Sequence, residues 1–210
     1  MTARLGVLIS GRGSNLQSII DAIGAGELDA TIGVVISNRA AAAGLERARA
    51  AGIETLHLPS RPFVTRDEYD RALAAELTAR TIDLVCLAGF MRLVGAPMLE
   101  AFPDRILNIH PSLLPSFPGL EAQRQALAHG VRVSGATVHL VTGELDGGPI
   151  VLQSAVAVLD DDTVETLSAR ILIEEHRLYP AAIGIVLGGG WTIEGRRFRP
   201  GKSGRPHPIA

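Results

Sequence analysis

One cysteine in 210 residues, Cys86, rules out a disulfide framework within a single chain, and no Cys/His spacing suits a zinc site. Inside the apolar run IDLVCLAGF, Cys86 reads as a small buried hydrophobe. No apolar stretch is long enough to span a bilayer, AAIGIVLGGGW near the end being too short. The first apolar run, LGVLI, meets Gly-rich turn sequence at once and lacks the form of a signal peptide. A cytoplasmic location is therefore expected. The formal charge is only −2 and no basic stripe follows a helix, which argues against a nucleic-acid track. Basic residues gather only in the terminal GRRFRPGKSGRPHPIA, whose Gly and Pro content predicts a frayed, solvated end. Repeats, low-complexity tracts and interdomain linkers are also missing.

What is present is the material for a full core: 47% of the residues are hydrophobic and 20% charged, at a length typical of one domain. Up to residue 110 the chain alternates short apolar runs with helical spacing. RLGVLI, ATIGVVIS, IETLHL, IDLVCLAG and RILNIH read as buried strands. Residues 14–26, 42–52 and 66–80 read as the helices between them. This pattern predicts an α/β fold: a doubly wound, mostly parallel sheet with a Rossmann-like N-terminal half and helices on both faces. Later, after a short helix over 123–130, the β-rich runs 131–142 and 149–159 flank a Gly-rich turn. They predict an antiparallel hairpin that extends the sheet. Residues 160–187 then read as one long helix, capped by the Asp run and Thr163, with Pro180 set to kink or restart it.

Four places carry chemical interest. In SGRGSN (10–15), Gly11 and Gly13 permit a tight turn and Ser14 is placed to cap the following helix, whose bare N–H groups would face an anion. A third glycine and an acidic ribose partner are absent, so a single phosphate fits better than a dinucleotide. An ordinary Gly-rich β-α turn is the plain alternative. In NIHPSLLPSFPG (108–119), the strand period of two puts Asn108 and His110 on one side, an amide donor beside an imidazole. Such a pair suits acyl chemistry, the amide steadying an oxyanion while the imidazole exchanges a proton. Pro111, Pro115 and Pro118 would stiffen the loop. A loop histidine on a proline-rich connection remains equally open. In TGELDGGPI (142–150), a default hairpin turn carries Glu144 and Asp146, either of which could partner an imidazole and raise its pKa. Last, Glu175 falls on the apolar stripe Val164, Leu167, Ile171, Leu178, Ala182, where a carboxylate needs a ligand or an internal ion pair. His139 is a further candidate only as a group behind Asp146.

These stretches, with LAGFMRL, QRQAL and EEHRLYP in order between residues 4 and 180, resemble the formyltransferase family, most closely its phosphoribosylglycinamide formyltransferase branch. The resemblance implies a formyl group passing from 10-formyltetrahydrofolate, as co-substrate, to the primary amine of glycinamide ribonucleotide in purine biosynthesis, with no metal. It implies that Gly13, Ser14 and Asn15 hold the substrate phosphate and that Glu175 meets its ribose or glycinamide end. For folate it implies Arg66, Met91, Arg92, Leu93, Val94, Asn108, Thr142, Glu144 and Asp146. Asn108, protonated His110 and Asp146 become the catalytic group, Asp146 raising the imidazole's pKa. Gly143 departs from the acidic residue many relatives carry there. Residues 1–190 are then one catalytic domain, with a phosphate-binding half over about 1–104 and a folate and catalytic half over about 105–190. Residues 191–210 are left as a Gly/Arg/Pro-rich extension. A homodimer is compatible with the sequence, though no motif specifies it.

Methionyl-tRNA formyltransferase and formyltetrahydrofolate deformylase share the same motifs, but each is expected to carry a further domain for which this chain has no room. A nicotinamide-binding domain, with Arg39 receiving a 2′-phosphate, would leave Asn108, His110 and Asp146 without a role.

Overall fold

In the computed structural model, which describes residues 2–201, the chain divides into two compact units. One comprises residues 2–108 together with Val141–Gly143; the other comprises Ile109–Leu140 and residues 144–201. The stretches 202–210 and Met1 lie outside the described residues, so the expectation for the terminal basic segment is addressed only as far as Gly201.

The first unit contains β1 (Ala3–Ile9), α1 (Ser14–Gly24), β2 (Ala30–Ser37), α2 (Ala43–Ala50), β3 (Thr55–His57), α3 (Arg66–Ala79), β4 (Leu84–Leu87), α4 (Ala96–Ala101) and the start of β5 (Ile106–His110). Its strands run in the order β3-β2-β1-β4-β5 and every pair is parallel. The order reverses between β1 and β4, so the loops leaving those strands flank a topological switch point, where open α/β sheets bind ligands. One face of the sheet is sealed by α3, whose buried residues Tyr69, Asp70, Leu73, Ala74 and Leu77 recur at helical spacing. Tyr69, Leu73, Ala74 and Leu77 share a core with Leu8, Val34, Ile36, Val85 and Ile106 from four of the strands. Thr65 starts α3 with a reciprocal box: its hydroxyl accepts from the Glu68 N–H at 3.1 Å, and Glu68 accepts from the Thr65 N–H.

The second unit holds α5 (Ala122–Ala128), β6 (Val133–Leu140), β7 (Ile150–Ala157), α6 (Val164–Leu187), β8 (Thr192–Glu194) and β9 (Arg197–Arg199). β6 and β7 form the expected antiparallel hairpin, with α6 packed on both. Their approach at Gly135 is close: a Cβ there would lie 2.0 Å from the Ser154 carbonyl oxygen. Among the described residues no helix is long and apolar enough to cross a membrane.

Several local expectations change. The N-cap of α1 is Gly13, in the left-handed region at φ 72°, and Ser14 is the first helical residue rather than the cap. A Cβ on Gly13 would also stand 2.6 Å from the Gly44 Cα, so only glycine allows both the turn and this contact. α6 runs unbroken through Pro180, which gives up one N–H but does not restart the helix. The short α4 was hidden by its length, though Pro97 in its first turn is a start signal. The described part of the terminal segment is not frayed. β9 pairs with β7 at Ile150–Arg197, and β8 pairs with β9, because Gly195 at φ 61° lets the chain reverse.

Thr163 caps α6 as expected, in a reciprocal arrangement with Thr166 at 3.3 and 2.9 Å. Thr163→Ala is expected to lower the unfolding free energy by about 1 kcal/mol in urea titrations, whereas Thr163→Ser retains most of it.

Candidate active site

The loop between β1 and α1 ends in Gly13, an N-cap with no side chain to close the first turn of the helix. Arg47 closes one flank, donating to the Arg12 carbonyl at 2.9 Å and to Gln17 at 3.3 Å. An uncapped helix start beside a guanidinium is a setting for a phosphate. Asn15 is buried and Ser14 half-buried.

The loop between β4 and α4 sorts the residues that the resemblance assigned together. Met91 and Leu93 are exposed, 58% and 54%, while Val94 packs against the core of the first unit. Arg92 lies over the Tyr69 ring at 4.7 Å and donates to the Ser60 hydroxyl at 3.0 Å. Its buried Nε–H has no acceptor among the described residues. A buried donor left so costs about 1–3 kcal/mol, which an acceptor oxygen brought by a ligand would recover. Arg66 opens α3 and is exposed. Exposed apolar side chains beside a donor in want of an acceptor fit a flat heterocycle with polar edges.

In the second unit, His110 ends β5 and Asp146 lies in the β6–β7 connection, itself at φ 49°. His110 Nδ1 is 3.5 Å from Asp146 Oδ2, with His110 buried and the Asp146 side chain only 10% exposed. Asp146 Oδ2 also accepts the Gly119 N–H at 2.7 Å, while Oδ1 is 3.6 Å from His139 Nε2. Burial alone would raise the Asp146 carboxyl, but His139, the Gly119 N–H and His110 together hold it below the usual carboxylate value. It is ionised at neutral pH.

His110 behaves differently from expectation. Burial lowers its pKa by more than the Phe117 carbonyl and the Asp146 charge raise it, and His139 adds to the lowering. Asp146 acts in the expected direction without deciding the outcome. Nε2 lies 2.9 Å from the Phe117 carbonyl oxygen, which can only accept, so the neutral ring carries its proton on Nε2. A further proton would enter at Nδ1, beside the carboxylate.

The loop after His110 is held by more than proline. Ser112 donates to the Ser116 carbonyl at 2.6 Å. Thr137 donates to the Ser112 carbonyl at 2.7 Å and accepts the Leu114 N–H at 3.1 Å. Gln153 donates to the Leu114 carbonyl at 2.9 Å. Sequence reading passed over Thr137 and Gln153, and it placed His139 only provisionally. Their one signal was polar residues on strands read as core.

Asn108 precedes His110 by two residues on β5, in register with Leu87 of β4. Glu175 is buried on α6 in the stripe Leu167, Ile171, Tyr179, Ala182, with Tyr179 taking the place expected for Leu178. Thr142 is half-buried and Glu144 exposed, the latter 3.7 Å from Arg196. Among the described residues no group of three or more His, Cys, Asp or Glu side chains is placed to hold a metal ion.

A family model described as Formyl transferase matches residues 3–183. The chain is 49% identical over 187 residues to the human trifunctional purine biosynthetic protein adenosine-3, a match covering 89% of this chain and 18% of that protein. It is 47% identical over 190 residues to phosphoribosylglycinamide formyltransferase of Escherichia coli K12, covering 90% of this chain and 87% of that enzyme. Among solved structures, glycinamide ribonucleotide transformylase 1 from Symbiobacterium toebii superposes with a TM-score of 0.94 at 60% identity. That alignment covers 96% of this chain and 95% of the other. With its motifs in order and the family model matched from residue 3 to residue 183, the chain belongs to the formyl transferase family.

Proposed function

We propose that this chain transfers a formyl group from 10-formyltetrahydrofolate to the primary amine of glycinamide ribonucleotide, in de novo synthesis of the purine nucleotide IMP, in the cytoplasm. The observation that carries the reading is the buried His110–Asp146 pair, 3.5 Å apart, in a chain 47% identical to an enzyme of that name.

The folate supplies the formyl carbon, and the amine attacks it to give a tetrahedral oxyanion. The Asn108 amide is the donor suited to that oxygen, and a preorganised donor of this kind contributes about 10²–10³ in rate. His110 is neutral at rest, so it takes the proton released by the attacking amine at Nδ1. The Asp146 carboxylate then stabilises the imidazolium, and the same proton is available to the departing folate nitrogen. Resting neutrality favours this order over a ring protonated from the start.

Gly13, Ser14 and Asn15 are assigned to the phosphate, through the uncapped start of α1. Glu175, a buried carboxylate on α6, is assigned to the glycinamide or ribose end. Met91 and Leu93 are assigned to the faces of the folate ring, Arg92 and the backbone around Val94 to its polar edges. Arg66, Thr142 and Glu144 are assigned to the periphery of the folate. Two bound substrates gain from proximity as much as from any one side chain.

Formyl transfer is measured by following folate product with and without glycinamide ribonucleotide; product formed without acceptor would instead indicate hydrolysis of the formyl folate. Asp146→Asn and His110→Ala are each expected to lower kcat by about 10²–10⁴ with the fold retained by circular dichroism. Full activity in either variant contradicts the mechanism. Glu175→Gln should raise the KM for glycinamide ribonucleotide about tenfold or more while that for the folate stays within twofold, a loss of roughly 1.4 kcal/mol in binding. Equal losses for both substrates would remove its assignment.

A pH dependence follows from the lowered His110 pKa. Where the folded value lies below the unfolded one, the unfolded chain binds more protons, so stability falls as pH drops below the ordinary 6.5. Denaturant titrations at successive pH values should show this decline, and His110→Asn should flatten it. The Asp146 contribution has its own window, lost only as pH falls below the ordinary 3.8.

A further inference from the structure

We propose that Ser10 and Asp70 are positioning residues that clamp the two ends of the segment Met91–Gly95 and so set the folate-binding surface before ligand arrives. This rests on the reading that the segment binds the folate.

The segment belongs to no helix or strand, yet it must present Met91 and Leu93 to solvent at defined positions. Backbone N–H groups at its two ends are satisfied by side chains from distant parts of the first unit. The Met91 N–H donates to the Ser10 hydroxyl oxygen at 2.9 Å, across 81 residues. The Gly95 N–H donates to Asp70 Oδ2 at 2.6 Å. Both side chains are buried, so neither bond competes with bulk water.

Each clamp is itself fixed. The Ser10 hydroxyl donates to Asn38 Oδ1 at 2.6 Å, which commits its proton and leaves its lone pairs for Met91. The Ser10 backbone N–H bonds to the Gly89 carbonyl at 3.0 Å, holding β1's end against the same loop. One serine thus joins the exits of β1, β2 and β4 at the point where strand order reverses. Asp70 is fastened by its place on α3 and by the charges of Arg66 and Arg92. A Cβ on Gly95 would stand 2.9 Å from Asp70 Oδ2 and 3.3 Å from Arg66 Nε, pressing on the clamp itself. Between the clamps, Arg92 is anchored by Tyr69 and Ser60.

The consequence is preorganisation. A loop held at both ends and its middle does not lose that freedom again on binding, so its fixed carbonyls and N–H groups contribute to affinity. Ser10 also immediately precedes the loop assigned to the phosphate, so the two substrate surfaces share a single fixed hydroxyl.

The test compares Ser10→Ala, Asp70→Ala and Asp70→Asn in the full chain, with Leu93→Glu as a direct probe of the surface. Steady-state kinetics and calorimetric binding of tetrahydrofolate are read side by side, with a melting curve for each variant. The expected result is a rise of about fivefold or more in folate KM and Kd for Ser10→Ala and Asp70→Ala, with kcat within about threefold. Asp70→Asn, which keeps an acceptor oxygen, should recover part of the loss and serves where Asp70→Ala does not fold. Unchanged folate affinity in the Ser10 and Asp70 variants, with Leu93→Glu weakened, overturns the clamp alone. An equal rise in both substrates' KM with a matching fall in kcat in Asp70→Asn also overturns it, as that is the signature of general damage. If Leu93→Glu itself leaves folate binding intact, the failure lies with the segment's assignment, and the clamp falls with it.

Discussion

A carboxylate taken out of water must be met by donors or lose its charge, and the ionised Asp146 side chain is the group around which the second unit's polar chemistry is arranged. One oxygen takes the Gly119 N–H and faces His110; the other faces His139. Meeting that demand requires the loop after β5 to return to Asp146, which it does through Gly119 at φ 79°. It also requires two imidazoles, which come from β5 and from β6. Remove the charge and the His110 ring loses the carboxylate that faces its Nδ1. The site is therefore a set of mutually dependent positions rather than a histidine with an accessory.

The opposing pull on His110 is part of the same design. Burial favours the neutral ring and Asp146 favours the charged one, with burial the larger. In the proposed mechanism this balance lets His110 take the amine's proton, with the nearby charge limiting the cost of holding it. The first unit works by different means. Its parallel sheet brings the loops after β1 and β4 to one switch point, and side chains such as Ser10 and Asp70 turn those loops into fixed surfaces.

Much of this was legible beforehand. Non-alternating apolar runs separated by helical spacing specified the parallel half, because strands buried on both faces have no polar side to display. The Thr163 cap was visible because its chemistry is local, and Glu175 stood out because a carboxylate broke an apolar stripe. Ser14 was misassigned as a cap because the deciding quantity, the left-handed conformation of Gly13, depends on its contact with Gly44. β9 fell within the run read as a frayed end, since a three-residue strand is too short to show a periodicity. Thr137 and Gln153 went unassigned because a polar residue on a strand shows its purpose only when its partner, here the loop after His110, is in place.

By itself the sequence determined the order and type of the main elements, the family motifs, and which residues could carry acyl chemistry. Those properties follow from short-range periodicity and residue type. Only tertiary structure decided the resting proton on His110, the joint hold of Gly119 and His139 on Asp146, and the division of Met91, Arg92, Leu93 and Val94 between solvent, ring contact and core. Each of these turns on burial or on partners tens of residues distant. Electrostatic balance depends on three-dimensional distance and exposure, which linear spacing does not encode.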